Sequence, residues 1–129
     1  MAKDFYKTFC KGEIKITEAR TAELVKLTEN TFRDVNIAFA NELSIIADHF
    51  NVNVNELIHL SNQHPRVNIL KPGCGVGGHC IAIDPWFLAS ALPNNSNLIQ
   101  ASRNVNIQKV FWVIKKIKDR SKKFKHTHG

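Results

Sequence analysis

At 129 residues the chain is long enough for one domain with a core, and 43% apolar residues with both signs of charge describe a globular rather than a disordered protein. No run approaches the roughly 20 apolar residues of a membrane span, the N-terminus lacks the apolar stretch of a signal peptide, and three cysteines argue for a reducing, cytoplasmic setting rather than a disulfide scaffold. The net charge of +7 is local: residues 1–108 hold ten Lys/Arg and ten Asp/Glu, whereas 109–129 hold eight Lys/Arg against the single acid Asp119, a pattern of a solvated helix end and frayed basic tail rather than a nucleic-acid surface.

Residues 1–12 show no period, and Glu13-Ile14-Lys15-Ile16 alternates like one short strand. A lone strand cannot pair its own backbone, so this piece is expected to be a remnant of a sheet that belongs to something larger. From Thr17 or Thr21, either able to cap, a long helix is expected to reach Phe50, because Leu24, Phe32, Val35, Phe39, Leu43, Ile46 and Phe50 recur at three- or four-residue steps. Lys26 and Asn30 share a different face of that helix, continued by Arg33-Asp34 and Asn41-Glu42; taken alone, such residues describe an ordinary solvated side.

A second helix opens at Asn53, with Glu56 three residues on as a capping box, and ends near Gln63 before Pro65. Arg66 follows on the approach to a glycine-dense stretch and is a candidate for an anion such as a diphosphate. That stretch, 72–86, places four glycines in six positions and delivers Cys80 beside Asp84. Two accounts of the pair stand open. In one, Cys80 is a small buried hydrophobe and Asp84 caps a helix starting at Pro85. In the other, Cys80 is a thiolate nucleophile among exposed backbone N–H groups, with Asp84 its acid–base or water-positioning partner. The run Gly75-x-Gly77-x-x-Cys80 lacks the third glycine and the preceding strand of a dinucleotide fingerprint, and Cys74, His79 and Cys80 lack the paired spacings of a zinc site.

After Pro85 a short helix stops by Pro93, and a final helix runs from about Ser96 to Arg120. Its apolar residues, Leu98, Ile99, Val105, Val110, Phe111, Trp112, Val113, Ile114 and Ile117, cover more than one stripe, as expected of a helix that contacts both its own domain and a partner subunit. The fold class is mainly α, with two long helices, two short ones and a glycine-rich loop.

The stretch 21–43, the run His64-Pro65-Arg66-Val67-Asn68 and the stretch 75–87 together resemble the UDP-glucose/GDP-mannose dehydrogenase family, in particular its branch acting on UDP-N-acetylmannosamine. The resemblance runs from about Phe5 to Lys118 and implies a helical dimerisation domain carrying a catalytic loop. It implies an enzyme that oxidises a sugar hydroxymethyl group twice with NAD, giving a uronate through a thiohemiacetal and a thioester on Cys80. Lys26 and Asn30 are then expected to hold the oxyanion and the attacking water, and Asp84 to assist proton movement. Arg66 matches a substrate-binding arginine, and Gly75, Gly77 and Gly78 would let the loop lie close to the sugar. The resemblance also implies that residues 1–16 are a remnant of an NAD-binding domain, 17–120 the central domain and 121–129 a basic tail. The expected unit is one without its own NAD- and UDP-binding domains, inactive alone, homodimeric, and without a metal, membrane or nucleic-acid partner. A purely non-catalytic dimerisation module is the competing expectation.

Overall fold

The computed structural model describes residues 2–127, with side chains described as far as Lys122. Five helices are formed: α1 (Ala2–Lys7), α2 (Ala19–His49), α3 (Val54–Ser61), α4 (His79–Ala91) and α5 (Asn97–Thr127), with one 3₁₀ turn at Pro93–Asn95 before α5. α2 packs against α4 and α5, α4 also touches α5, and α3 folds back on α2.

No strand occurs among the described residues, and 13–16, expected to be extended, are irregular. The physical reason is the one that made the strand suspect: no other strand among the described residues offers its backbone a partner. The aperiodic start instead holds the short helix α1, with Phe5 edge to face on both Tyr6 and Phe9 and those two tilted against each other. The basic tail expected from 121 begins inside α5, which continues to Thr127; residues 128 and 129 and the side chains from 123 lie outside the described residues.

α2 contains no Gly or Pro over 31 residues, so nothing interrupts its ladder for about 46 Å. Neither Thr17 nor Thr21 caps it: Glu18 occupies the N-cap with no side-chain bond. It ends where Asn51 adopts φ 56, a left-handed geometry that Asn tolerates. The cap of α3 is as expected, with Asn53 Oδ1 accepting from the N–H groups of Asn55 at 2.9 Å and Glu56 at 3.4 Å. Asn62, after α3, clips the returning chain by donating to Ile69 O at 3.0 Å and accepting from Ile69 N–H at 2.7 Å. That clip delivers the glycine loop to the groove between α2 and α5.

The interior is where α2 departs most from its pattern. The apolar stripe is real, but Leu24, Phe32, Phe39, Ile46 and Phe50 are all exposed in this chain. The buried face, at steps of three and four, is Asn30, Asp34, Ala38, Asn41, Ser44 and Ala47, so Asp34 and Asn41 are interior residues and not part of a solvated side. α5 does the same, burying Ser102, Arg103, Asn106 and Lys109 while Leu98, Phe111 and Ile117 stay exposed.

These polar groups are tolerated because they pair. Asn41 Nδ2 donates to Asn106 Oδ1 at 2.8 Å. Asn106 Nδ2 donates to Asp34 Oδ1 at 2.8 Å and to Asp34 O at 3.2 Å. Arg103 Nη1 lies 3.2 Å from Asp34 Oδ1. Farther along, Lys109 Nζ donates to Ser44 Oγ at 2.7 Å and sits 3.8 Å from the centroid of the Trp112 ring. Small residues at Ala38, Ala40, Ala47 and Ala89 let the helices approach closely enough for these short side chains to meet.

Candidate active site

The glycine loop ends and α4 begins six residues earlier than the Pro85 start that local rules suggested. Gly78 takes the N-cap with φ 84, and Pro85 lies inside the helix, fully buried. A proline there removes the bond to the Ile81 carbonyl, a loss offset by packing of Pro85 and Ala89 into the interior. Asp84 is therefore not a helix cap. Cys80 and Asp84 instead stand four apart on one α4 face, with Cys80 in the first turn among N–H groups that have no partner within the helix.

Lys26 and Asn30 repeat the same spacing on α2. The two helices are pinned at this point, because Asn30 Nδ2 donates to Asp84 Oδ2 at 2.6 Å across 54 residues of sequence. Asn30 is buried and Asp84 half-buried, whereas Cys80 and Lys26 are exposed. The arrangement is thus an amide–carboxylate contact, with a free thiol one turn before the carboxylate and an ammonium one turn before the amide. Lys26 Nζ has Glu29 Oε2 at 3.4 Å, a solvent-exposed pair that holds the ammonium only weakly. The apolar burial that would have reduced Cys80 to a packing residue is absent, since its side chain is exposed.

The loop glycines divide by role. Gly75, at φ 125, presses against α5, where a Cβ would stand 3.3 Å from Val110 Cγ2. Gly78 needs its positive φ to open α4. Gly77 has neither constraint, and the space beside it is open. Arg66 sits exposed in the turn after α3, its backbone N–H donating to His64 Nδ1 at 3.3 Å, and the structure does not join its side chain to the other four.

Among the described residues no three His, Cys, Asp or Glu side chains gather as metal ligands. Those residues also form no sheet, and the glycine loop follows irregular chain rather than the strand that precedes the phosphate loop of a βαβ dinucleotide-binding unit.

Sequence reasoning missed the buried set Asp34, Asn41, Arg103, Asn106 and Lys109. A signal existed: polar residues recur at three- and four-residue steps in both long helices, on the face away from the apolar stripe. Asp34 has a carboxyl raised above 3.8 by burial, with Arg103 and the Asn106 bond pulling it back down. Lys109 is lowered from 10.5, chiefly by burial; Asp48 and then Cys74 act to raise it, and Lys116 adds to the lowering.

A family profile described as the UDP-glucose/GDP-mannose dehydrogenase family, central domain, matches residues 20–108. The chain is 61% identical over 117 residues to a UDP-N-acetyl-D-mannosamine dehydrogenase of Campylobacter jejuni, covering 91% of this chain and 29% of the relative. It is 56% identical over 124 residues to an NDP-N-acetyl-D-galactosaminuronic acid dehydrogenase of Ralstonia solanacearum, covering 96% and 29%. Among solved structures, the UDP-D-ManNAc dehydrogenase of Pyrococcus horikoshii superposes with a TM-score of 0.89 at 46% identity, covering 96% of this chain and 30% of that one. The chain thus spans 29% of the length of these two curated relatives.

Proposed function

Because the chain belongs to the UDP-glucose/GDP-mannose dehydrogenase family, we propose that it is the nucleophile-bearing central part of a nucleotide-sugar 6-dehydrogenase acting on UDP-N-acetylmannosamine. The observation that carries this proposal is the 2.6 Å Asn30–Asp84 bond, which brings two sequence-distant motifs together with Cys80 and Lys26 each a turn away.

In this proposal Cys80 acts as a thiolate. Its sulfur adds to the carbonyl carbon of the sugar aldehyde, and the carbonyl electron pair moves onto oxygen. That oxyanion is received by the Lys26 ammonium and by the second N–H of the Asn30 amide, whose first N–H is spent on Asp84. One such donor is worth about 3–4 kcal/mol of barrier once bound substrate excludes water. In the closing step water attacks a thioester carbonyl, the C–S bond breaks, the sulfur leaves as thiolate, and Asp84 accepts the proton given up by the water. The oxidation joining these steps is NAD-dependent in the family; none of the described residues is assigned to it. Gly77, with open space beside it, suits close approach of the sugar. Arg66 is retained as a substrate-binding group that acts at a boundary with other chain or subunit. Residues 17–120 are taken as the central domain and 1–16 as the end of an NAD-binding one.

The test is a graft. Residues 20–108 replace the matching stretch of the C. jejuni relative, and reduced NAD is followed by absorbance with UDP-N-acetylmannosamine. We expect turnover, and a loss of roughly 10³-fold or more in Cys80→Ser. A Cys80→Ser graft that still makes the uronate refutes the assignment. The chain by itself, mixed with NAD and the same sugar nucleotide, is expected to give no reduced cofactor.

A second copy of the chain is the proposed partner for the exposed apolar faces. Phe39 of α2 and Leu98 and Val105 of α5 line a shared hollow of about 420 Å³, and Phe32, Phe111 and Ile117 are exposed elsewhere on the two helices. The same observation favours the alternative in which dimerisation is the whole role. Sedimentation distinguishes a dimer from a monomer, and the graft distinguishes a catalytic from a structural unit. No helix among the described residues is long and apolar enough to cross a membrane.

A further inference from the structure

We infer that Asp34, Asn41, Arg103 and Asn106 are positioning residues for Cys80, holding the loop-to-helix segment at both of its ends from inside the helix pair. The inference rests on the proposal that Cys80 is the nucleophile. At the near end, Gly73 N–H donates to Asn41 Oδ1 at 2.8 Å. At the far end, Arg103 Nη1 donates to Ala82 O at 3.0 Å. Cys80 lies between these two grips, two residues from the second. The grips are joined through the interior, Asn41 to Asn106 to Asp34, with Arg103 closing on Asp34. Between them Gly75 lies close to α5, where an added Cβ would stand 3.3 Å from Val110 Cγ2.

The chain of bonds has one direction. Asn41 uses its oxygen for Gly73 and its nitrogen for Asn106; Asn106 uses its oxygen for Asn41 and its nitrogen for Asp34. Reversing either amide sets donor against donor or acceptor against acceptor, so Asp34 dictates the orientation at Gly73 three hydrogen bonds away. The residues are sealed, at 0% exposure for Asp34 and Asn41, 1% for Asn106 and 5% for Arg103. As a source of stability the arrangement is poor. Asp34 Oδ2 and Arg103 Nε are buried and make no hydrogen bond to the protein, and an apolar pair of similar size would join the helices at lower cost. What apolar packing cannot supply is a directional hold on one backbone N–H and one carbonyl flanking the thiol.

The first pair of variants leaves the interior side chains intact. Gly73→Pro deletes the donated N–H, whereas Gly73→Ala keeps it, and a Cβ there meets only Gly75 O at 3.6 Å. Asn41→Ala removes the acceptor from within. On the full chain, iodoacetamide alkylation of Cys80 is measured against pH by site-resolved mass spectrometry, with exposed Cys10 as internal reference and circular dichroism reporting helicity. Gly73→Pro and Asn41→Ala are expected to change the Cys80 rate by about threefold or more and to move its pH dependence, with Gly73→Ala within about twofold of the parent. If Asn41→Ala unfolds, the Gly73 pair still decides. A Cys80 profile for Gly73→Pro that superimposes on that of Gly73→Ala, with helicity retained, overturns the inference. Alkylation needs neither cofactor nor turnover, so its failure is separate from a failure of Cys80→Ser to abolish oxidation in the graft.

Discussion

Truncating Asn106 to alanine strikes the most connected side chain of the polar interior. The change deletes two donations to Asp34 and the acceptor for Asn41 Nδ2. The bond to the carboxylate is worth about 1.5–3 kcal/mol and each neutral one about 1 kcal/mol. The Asn41 amide, left buried without a partner, adds about 1–3 kcal/mol. Allowing for overlap, the expected loss is about 4 kcal/mol, at least about a quarter of the roughly 5–15 kcal/mol that holds an average domain together. Urea unfolding followed by far-ultraviolet circular dichroism at pH 7 reads this as a shift of the midpoint. The loss also depends on pH. With its carboxyl raised above 3.8, Asp34 binds its proton more tightly folded than unfolded. Its contribution is therefore fully present below pH 3.8 and declines as pH rises through the folded value. Asn106 pulls that value down, so Asn106→Ala widens the window of decline and is most damaging at the top of it. A loss below about 1 kcal/mol at pH 7, or one independent of pH, would show that the buried network is not what joins α2 to α5.

Lys109, lowered from 10.5 by burial, sheds its proton more readily folded than unfolded, so its contribution increases as pH climbs from the folded value to 10.5. Lys109→Met should remove that alkaline rise, measurable as melting temperature against pH, and an unchanged rise contradicts the assignment. Gly75→Ala combines φ 125 with a Cβ 3.3 Å from Val110 Cγ2 and should cost about 1–3 kcal/mol; adding Val110→Ala relieves the contact but not the backbone, so only part of the loss should return. Asp84→Asn keeps an acceptor for Asn30 and should change stability by less than about 1 kcal/mol, whereas Asp84→Ala orphans the buried Asn30 amide at about 1–3 kcal/mol. Equal losses for the two Asp84 variants would mean the 2.6 Å bond does not form in solution.

Much of the candidate site was legible because short-range chemistry leaves short-range marks. Lys26 and Asn30 stand four apart, and any helix of that length puts them on one face, whereas Cys80 and Asp84, also four apart, share a face only because α4 starts at His79. The cap at Asn53 followed from its own side chain reaching two and three residues on. The start of α4 was not legible, because Pro85 and Asp84 look locally like N1 and N-cap. Residues 79–84 have no breaker, and burial of Pro85 against the neighbouring helices tolerates the lost bond.

Periodicity states which residues of a helix share a face; it does not state which face meets a neighbour. In α2 and α5 hydrophobicity suggested one sense, and the fold took the other, because Asn41, Asn106, Asp34 and Arg103 satisfy one another only when brought together from 34 to 106. No local pattern encodes that pairing. The chain's order of residues therefore determined the helices, the loop and the chemistry each could carry. Tertiary structure alone decided which polar groups went inside, since their burial is affordable only where a partner from the other helix already waits.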